Sequence, residues 1–153
     1  MTQKYYNPFA GIDLVAPVEQ RDVYDRYCQR PGVRTTVDQS PFPRMVDFWF
    51  AGMALAARRN LTAVDLGKQE TFKFIEGSIF DRDPWRVQTV MLVALSIEDN
   101  IEVVGEPRRM MTIANGLAAA GVPQLVEMLR DGGQEPIWNL SEALEKTLRT
   151  ALA

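Results

Sequence analysis

Apolar residues and one glycine run unbroken through Phe48–Ala57, inside the longer segment FPRMVDFWFAGMALAARR that covers Phe42–Arg59. Asp47 is the only charge between Arg44 and Arg58. Such a stretch predicts a central helix, apolar nearly all round, with other helices packed about it. The expected span is Pro41–Arg59. Ser40 would be the N-cap, and Pro41 and Pro43 would fall in a first turn that has no use for their missing N–H. Asn60 suits the C-cap, and Arg58 and Arg59 suit the negative end of the helix dipole.

The helical period recurs downstream. Asp83-Pro84 is a helix start, and Val87, Val90, Met91, Ala94, Leu95 and Ile97 form a broad apolar face that predicts a second buried helix ending near Asn100. Ile101–Val104 reads as extended. Pro107 opens a helix that turns Met110, Met111, Ile113, Ala114, Leu117 and Ala118 inward, and Gly121 is expected to close it. Pro123 then opens a further short helix, stopped by Asp131-Gly132-Gly133. Asn139 and Glu142 match a capping box ahead of a stripe of Leu140, Leu144 and Leu148. Glu70–Phe80 fits either period, and the reading favours helix up to Ile75, broken at Gly77.

Residues 1–39 differ in character. Tyr5, Tyr6, Asn7, Pro8, Phe9 and Gly11 make a poor helix, and Glu19–Arg30 spaces Val23, Tyr24, Tyr27 and Cys28 as a short helix ended by Pro31-Gly32. The prediction is a mainly α protein with little or no strand. It comprises an irregular N-terminal arm with a short helix over 1–39 and a compact multi-helix domain over 40–153.

A chain of 153 residues suits one domain and can bury a core without metal or disulfides. It contains no histidine and one cysteine, Cys28. That excludes Ser-His-Asp and Cys-His nucleophile systems, histidine metal sites and Cys-rich zinc or iron–sulfur sites. The carboxylates between Asp81 and Glu106 do not match an EF-hand, and 116-GLAAAG-121 lacks the spacing of a dinucleotide loop. No catalytic residue, cofactor or metal site is assigned, and a non-enzymatic role is expected. The lone cysteine favours a reducing compartment, and the first residues lack the apolar core of a signal peptide. Phe48–Ala57 is about half a membrane span, so a cytoplasmic protein without membrane association is expected.

Two sets of residues are candidates for contact. Tyr5, Tyr6 and Phe9 in the arm, with Trp138 in the linker 134-QEPIW-138, are aromatic anchors for a protein partner. Trp138 has a second reading, as a residue that docks its linker onto the core, and Trp49 and Trp85 are expected in the core. Arg82, Arg86, Arg108 and Arg109 sit at the starts of two successive helices. Side by side, those starts would combine guanidinium forks with free N–H groups as a nucleic-acid patch. The net charge of −3 requires any such patch to be local. The small-residue ridge Gly52/Ala56 would permit close helix contact between copies, so a homo-oligomer is expected.

A PF-x-x-M-x-D helix at Phe42, Met45 and Asp47 is followed by an aromatic segment ending in IFD at Phe80. The helix of VMLVALSIEDNIEVV, with Met91–Val104 in the series, then IANG (Ile113–Gly116) and QLVEML, with Leu125–Leu129, follow in order. This series, over roughly 42–130, resembles the small helical proteins that accompany bacterial DNA phosphorothioation, the Dnd-system-associated proteins. The resemblance implies an accessory role in prokaryotic or phage-linked DNA defence and assigns no catalytic residue. The leading expectation is an accessory or assembly protein acting through protein contacts. The alternative is a nucleic-acid-binding accessory using the four arginines.

Overall fold

A computed structural model describes residues 6–152 and is mainly α. The elements are β1 (Asp13–Pro17), α1 (Arg21–Tyr27), α2 (Met45–Arg58), β2 (Thr71–Glu76), α3 (Pro84–Glu98), α4 (Pro107–Arg130) and α5 (Pro136–Leu152). Short 3-10 turns occupy Val18–Gln20, Leu66–Lys68, Gly77–Arg82 and Ile101–Gly105. Ile101–Val104 is therefore helical rather than extended.

The apolar run forms α2, which starts later than expected. Pro41 and Pro43 disfavour helical backbone at the residues before them. Phe42 instead lies extended beside Cys28, with Gln29 N–H donating to Phe42 O at 2.8 Å and Phe42 N–H to Tyr27 O at 3.1 Å. Ser40 is not the cap: its hydroxyl donates to Arg26 O at 2.7 Å. Arg44 takes the cap position, and its N–H donates to the Asp47 carboxylate at 3.0 Å.

α2 lies across α4, and each helix is pressed to the other's backbone. A methyl group on Gly121 would stand 1.8 Å from Gly52 O, and one on Gly52 would stand 3.1 Å from Ala118 O. The small residues Gly52 and Ala56 are thus buried inside one chain and unavailable for contact between copies. Gly121 does not end a helix, and Pro123 does not start one: both lie within the single helix α4. Pro123 lacks the N–H that would bond the carbonyl of Ala119 one turn earlier. Gln20 supplies the missing donor, its Nε2 donating to Ala119 O at 2.8 Å.

Glu70–Phe80 also departs from expectation: Thr71–Glu76 is a strand, paired antiparallel to β1 with a bulge between Leu14 and Val15. The pairing partner is some sixty residues away in sequence, so local periodicity could not choose between the two readings. Phe72 and Phe74 frame the buried Tyr24 ring at 5.7 and 5.4 Å. The arm is tied to the core as well. Leu14 and Ala16 are buried, and the Asn7 amide donates to Gly77 O at 2.9 Å and to Asp81 at 2.8 Å.

One polar group organises the centre. The Asn115 side-chain oxygen accepts from Trp49 Nε1–H at 3.0 Å and from Val15 N–H at 3.1 Å, while its amide donates to Asp13 O at 3.2 Å. It ties α2, α4 and β1 together. Asn139 has a similar duty and is not a helix cap, because α5 begins three residues earlier at Pro136. Its amide donates to Leu129 O at 3.0 Å and Gln134 O at 2.9 Å, which fixes the turn between α4 and α5.

Candidate interaction surfaces

α3 is the element whose surroundings differ most from its sequence. It is uncharged from Val87 to Ile97 and reads as a buried helix. Only Arg86, Val87, Val90 and Ala94 are buried. At about 100° per residue, Val87, Val90 and Ala94 share one narrow face. Trp85, Gln88, Leu92 and Leu95 recur at intervals of three and four on a face turned away from it. Leu92 is 65% exposed and Trp85 52%, which corrects the expectation of a core tryptophan. Met91 and Leu95 are half-buried and, with Gln88, Leu92 and Val104, line a recess of about 330 Å³.

Trp85 is held rather than free. Its ring lies edge-on to Phe50, with centroids 5.3 Å apart, and the Arg86 guanidinium stacks on it at 4.7 Å. Arg86 is fixed in turn by the Asp47 carboxylate at 2.5 Å, and Asp83 lies within ion-pair distance at 3.4 Å without hydrogen-bond alignment. The lone carboxylate of α2 therefore serves to anchor Arg86. An aromatic ring immobilised in this way loses little freedom when a partner covers it, a property of interface hot spots.

The four candidate arginines do not gather into one patch. Arg86 is buried in the ion-pair cluster just described. Arg109 pairs with Glu98, at the end of α3 opposite Arg86 and about 18 Å from it along the helix axis. Arg82 and Arg108 are exposed, and Arg108 borders an open recess with Pro8, Gly11 and Ile12.

Of the aromatic candidates, Tyr5 lies outside the described residues. Tyr6 and Trp138 are exposed. Phe9 is fully buried, edge-on to Phe80 at 6.3 Å, and cannot meet a partner. The turn at Asn7, whose side chain accepts from Phe9 N–H at 3.0 Å, directs that ring inward.

The remaining chemistry is sparse. Cys28 is buried, and burial, with the nearby carboxylates of Asp47 and Asp25, pushes its pKa up to about 12. Burial likewise raises the Tyr24 phenol above its ordinary range. Among the described residues no group of three or more His, Cys, Asp or Glu is arranged to hold a metal ion, and no helix is long and apolar enough to cross a membrane. In comparison with known proteins, no family model matches the chain, and neither a curated protein nor a solved structure does.

Proposed function

We propose that the protein is a non-enzymatic accessory protein that binds an apolar helix of a partner protein along the outer face of α3. The supporting observation is the uncharged face of Trp85, Gln88 and Leu92, exposed to solvent and continued by the half-buried Leu95 into a recess. Its spacing of three and four is that of a helix–helix seam, where each side chain enters a gap on the facing helix. Water-exposed apolar groups grouped in this way gain by association, at about 25 cal/mol per Å² covered. Trp85 is the anchor, and Met91 gives the recess an adaptable wall. The family resemblance supplies the setting, a DNA-defence complex, and no residue of the surface rests on it.

Affinity purification from the native cell, quantified by mass spectrometry, tests the proposal. Proteins recovered with the wild-type chain and with a Lys68→Glu control should fall about tenfold with Leu92→Glu, a loss of about 1.4 kcal/mol. Leu92 is exposed, so its variant should keep the wild-type melting temperature. Equal recovery by all three proteins would count against the α3 face.

A further inference from the structure

We propose that a second copy of this chain docks its α5 antiparallel against α5 and the groove beside it, forming a two-fold homodimer. The surface is distinct from the α3 face and its argument is independent of that reading.

Leu140, Leu144, Leu148 and Leu152 recur every four residues along α5. Four residues overshoot one helical turn by about 40°, so the stripe winds around the helix. It begins half-buried at Leu140 and leaves the core progressively: Leu144, Leu148 and Leu152 are 46%, 60% and 88% exposed. Beside it, α2, α4 and α5 enclose an apolar groove of about 310 Å³. Ala51 and Ala54 are among its lining residues, with Leu55 and Leu144 beside them, and Arg58 is its only charged lining residue. Arg58 also borders an adjoining recess with Arg59 and Lys146.

The charges of α5 select the occupant. Its acids, Glu142 and Glu145, precede its bases, Lys146 and Arg149. A parallel copy would set like charges together. At about 100° per residue Glu145 and Arg149 flank the exposed end of the stripe, whereas Glu142 and Lys146 lie on the far side of the helix; an antiparallel copy sets Glu145 of each helix against Arg149 of the other, with Arg58 and Arg59 near the basic end. Such a match repeats about a two-fold axis, which is the geometry of an isologous contact. Within one chain Glu145 pairs with Arg149 at 2.5 Å and Glu142 with Lys146 at 3.9 Å, both exposed, and Glu142 also accepts from Gln134 Nε2 at 3.2 Å. Exposed pairs of this kind contribute little and can exchange partners at small cost.

Sedimentation of the full chain tests the proposal. A concentration-dependent species of twice the 17.3 kDa chain mass is expected, and Leu148→Glu should abolish it while leaving helix content unchanged. Two charge-reversed variants, Glu145→Lys and Arg149→Glu, should each self-associate at least about tenfold more weakly than wild type. Mixed in equal amounts, they should recover a heterodimer. Leu92→Glu should leave dimerisation intact, which separates this surface from α3. A wild-type chain that stays at 17.3 kDa at high micromolar concentration would overturn the proposal. So would a dimer that Leu148→Glu leaves unchanged, or reversed variants that associate no better together than apart.

Discussion

Replacing Asn115 with alanine should be among the most damaging single changes to this protein. The side chain bonds three groups on two other elements: Trp49 Nε1–H, Val15 N–H and Asp13 O. Truncation affects them unequally. Trp49 is fully buried, so its indole N–H would be left without a partner and out of reach of water. Such an orphaned donor costs about 1–3 kcal/mol. The Val15 N–H is partly buried and falls near the lower end of that range, whereas Asp13 is exposed and its carbonyl can turn to water. With the small void left by the amide, the expected loss is about 3–4 kcal/mol. Against a typical domain stability of about 5–15 kcal/mol, the variant still folds but loses a large share of its margin. Urea denaturation, followed by circular dichroism and tryptophan fluorescence, should show a midpoint lower by about 1–2 M at an unchanged slope. Trp49→Phe removes the indole donor in advance, so Asn115→Ala should cost about 1–2 kcal/mol less in that background. A loss below about 1 kcal/mol, or strict additivity of the two changes, would refute the assignment of Asn115 as the hub of the core.

Gly121→Ala should destabilise by about 3 kcal/mol or more, because the new methyl meets the backbone oxygen of Gly52 at 1.8 Å, whereas Gly105→Ala, with open space around it, should change the melting temperature little. Gln20→Ala should cost about 1–3 kcal/mol by orphaning Ala119 O, and less beside Pro123→Ala, which restores a helical N–H; a double-mutant cycle of urea midpoints measures the coupling. Cys28 keeps its proton in the fold up to about pH 12, while an unfolded thiol releases it from about pH 9. Stability contributed by the neutral thiol is therefore complete below pH 9 and declines above it by up to about 1.4 kcal/mol per pH unit. Urea midpoints measured from pH 8 to 11 should show this decline, and Cys28→Ala should make it shallower.

The helices were legible where local signals were sufficient. Asp83-Pro84 and Pro107 mark true starts, and the uncharged run Phe48–Ala57 is the central helix. The misplaced boundaries share a cause, which is a partner distant in sequence. β2 is a strand because β1 pairs with it, and α4 continues through Pro123 with Ala119 O satisfied by a glutamine about a hundred residues upstream. Ser40 and Asn139 have the residue types of caps, yet both bond carbonyls of neighbouring segments. The α3 surface was partly readable. Trp85 and Leu92 lie off the line of Val87, Val90 and Ala94, but hydrophobicity alone could not say that no element covers them. Arg86 carried a clue in Asp47, a single carboxylate in an apolar helix that calls for a buried cation.

Photo-crosslinking in the native cell tests the central proposal most directly. A photoreactive phenylalanine at position 92 should capture one recurrent protein, and the capture should disappear when Trp85 is replaced by alanine in the same chain. The same group at position 68, exposed and remote from α3 in sequence, should not capture it. Identical products from positions 92 and 68, or capture at 92 that ignores the loss of Trp85, would contradict a docking face on α3.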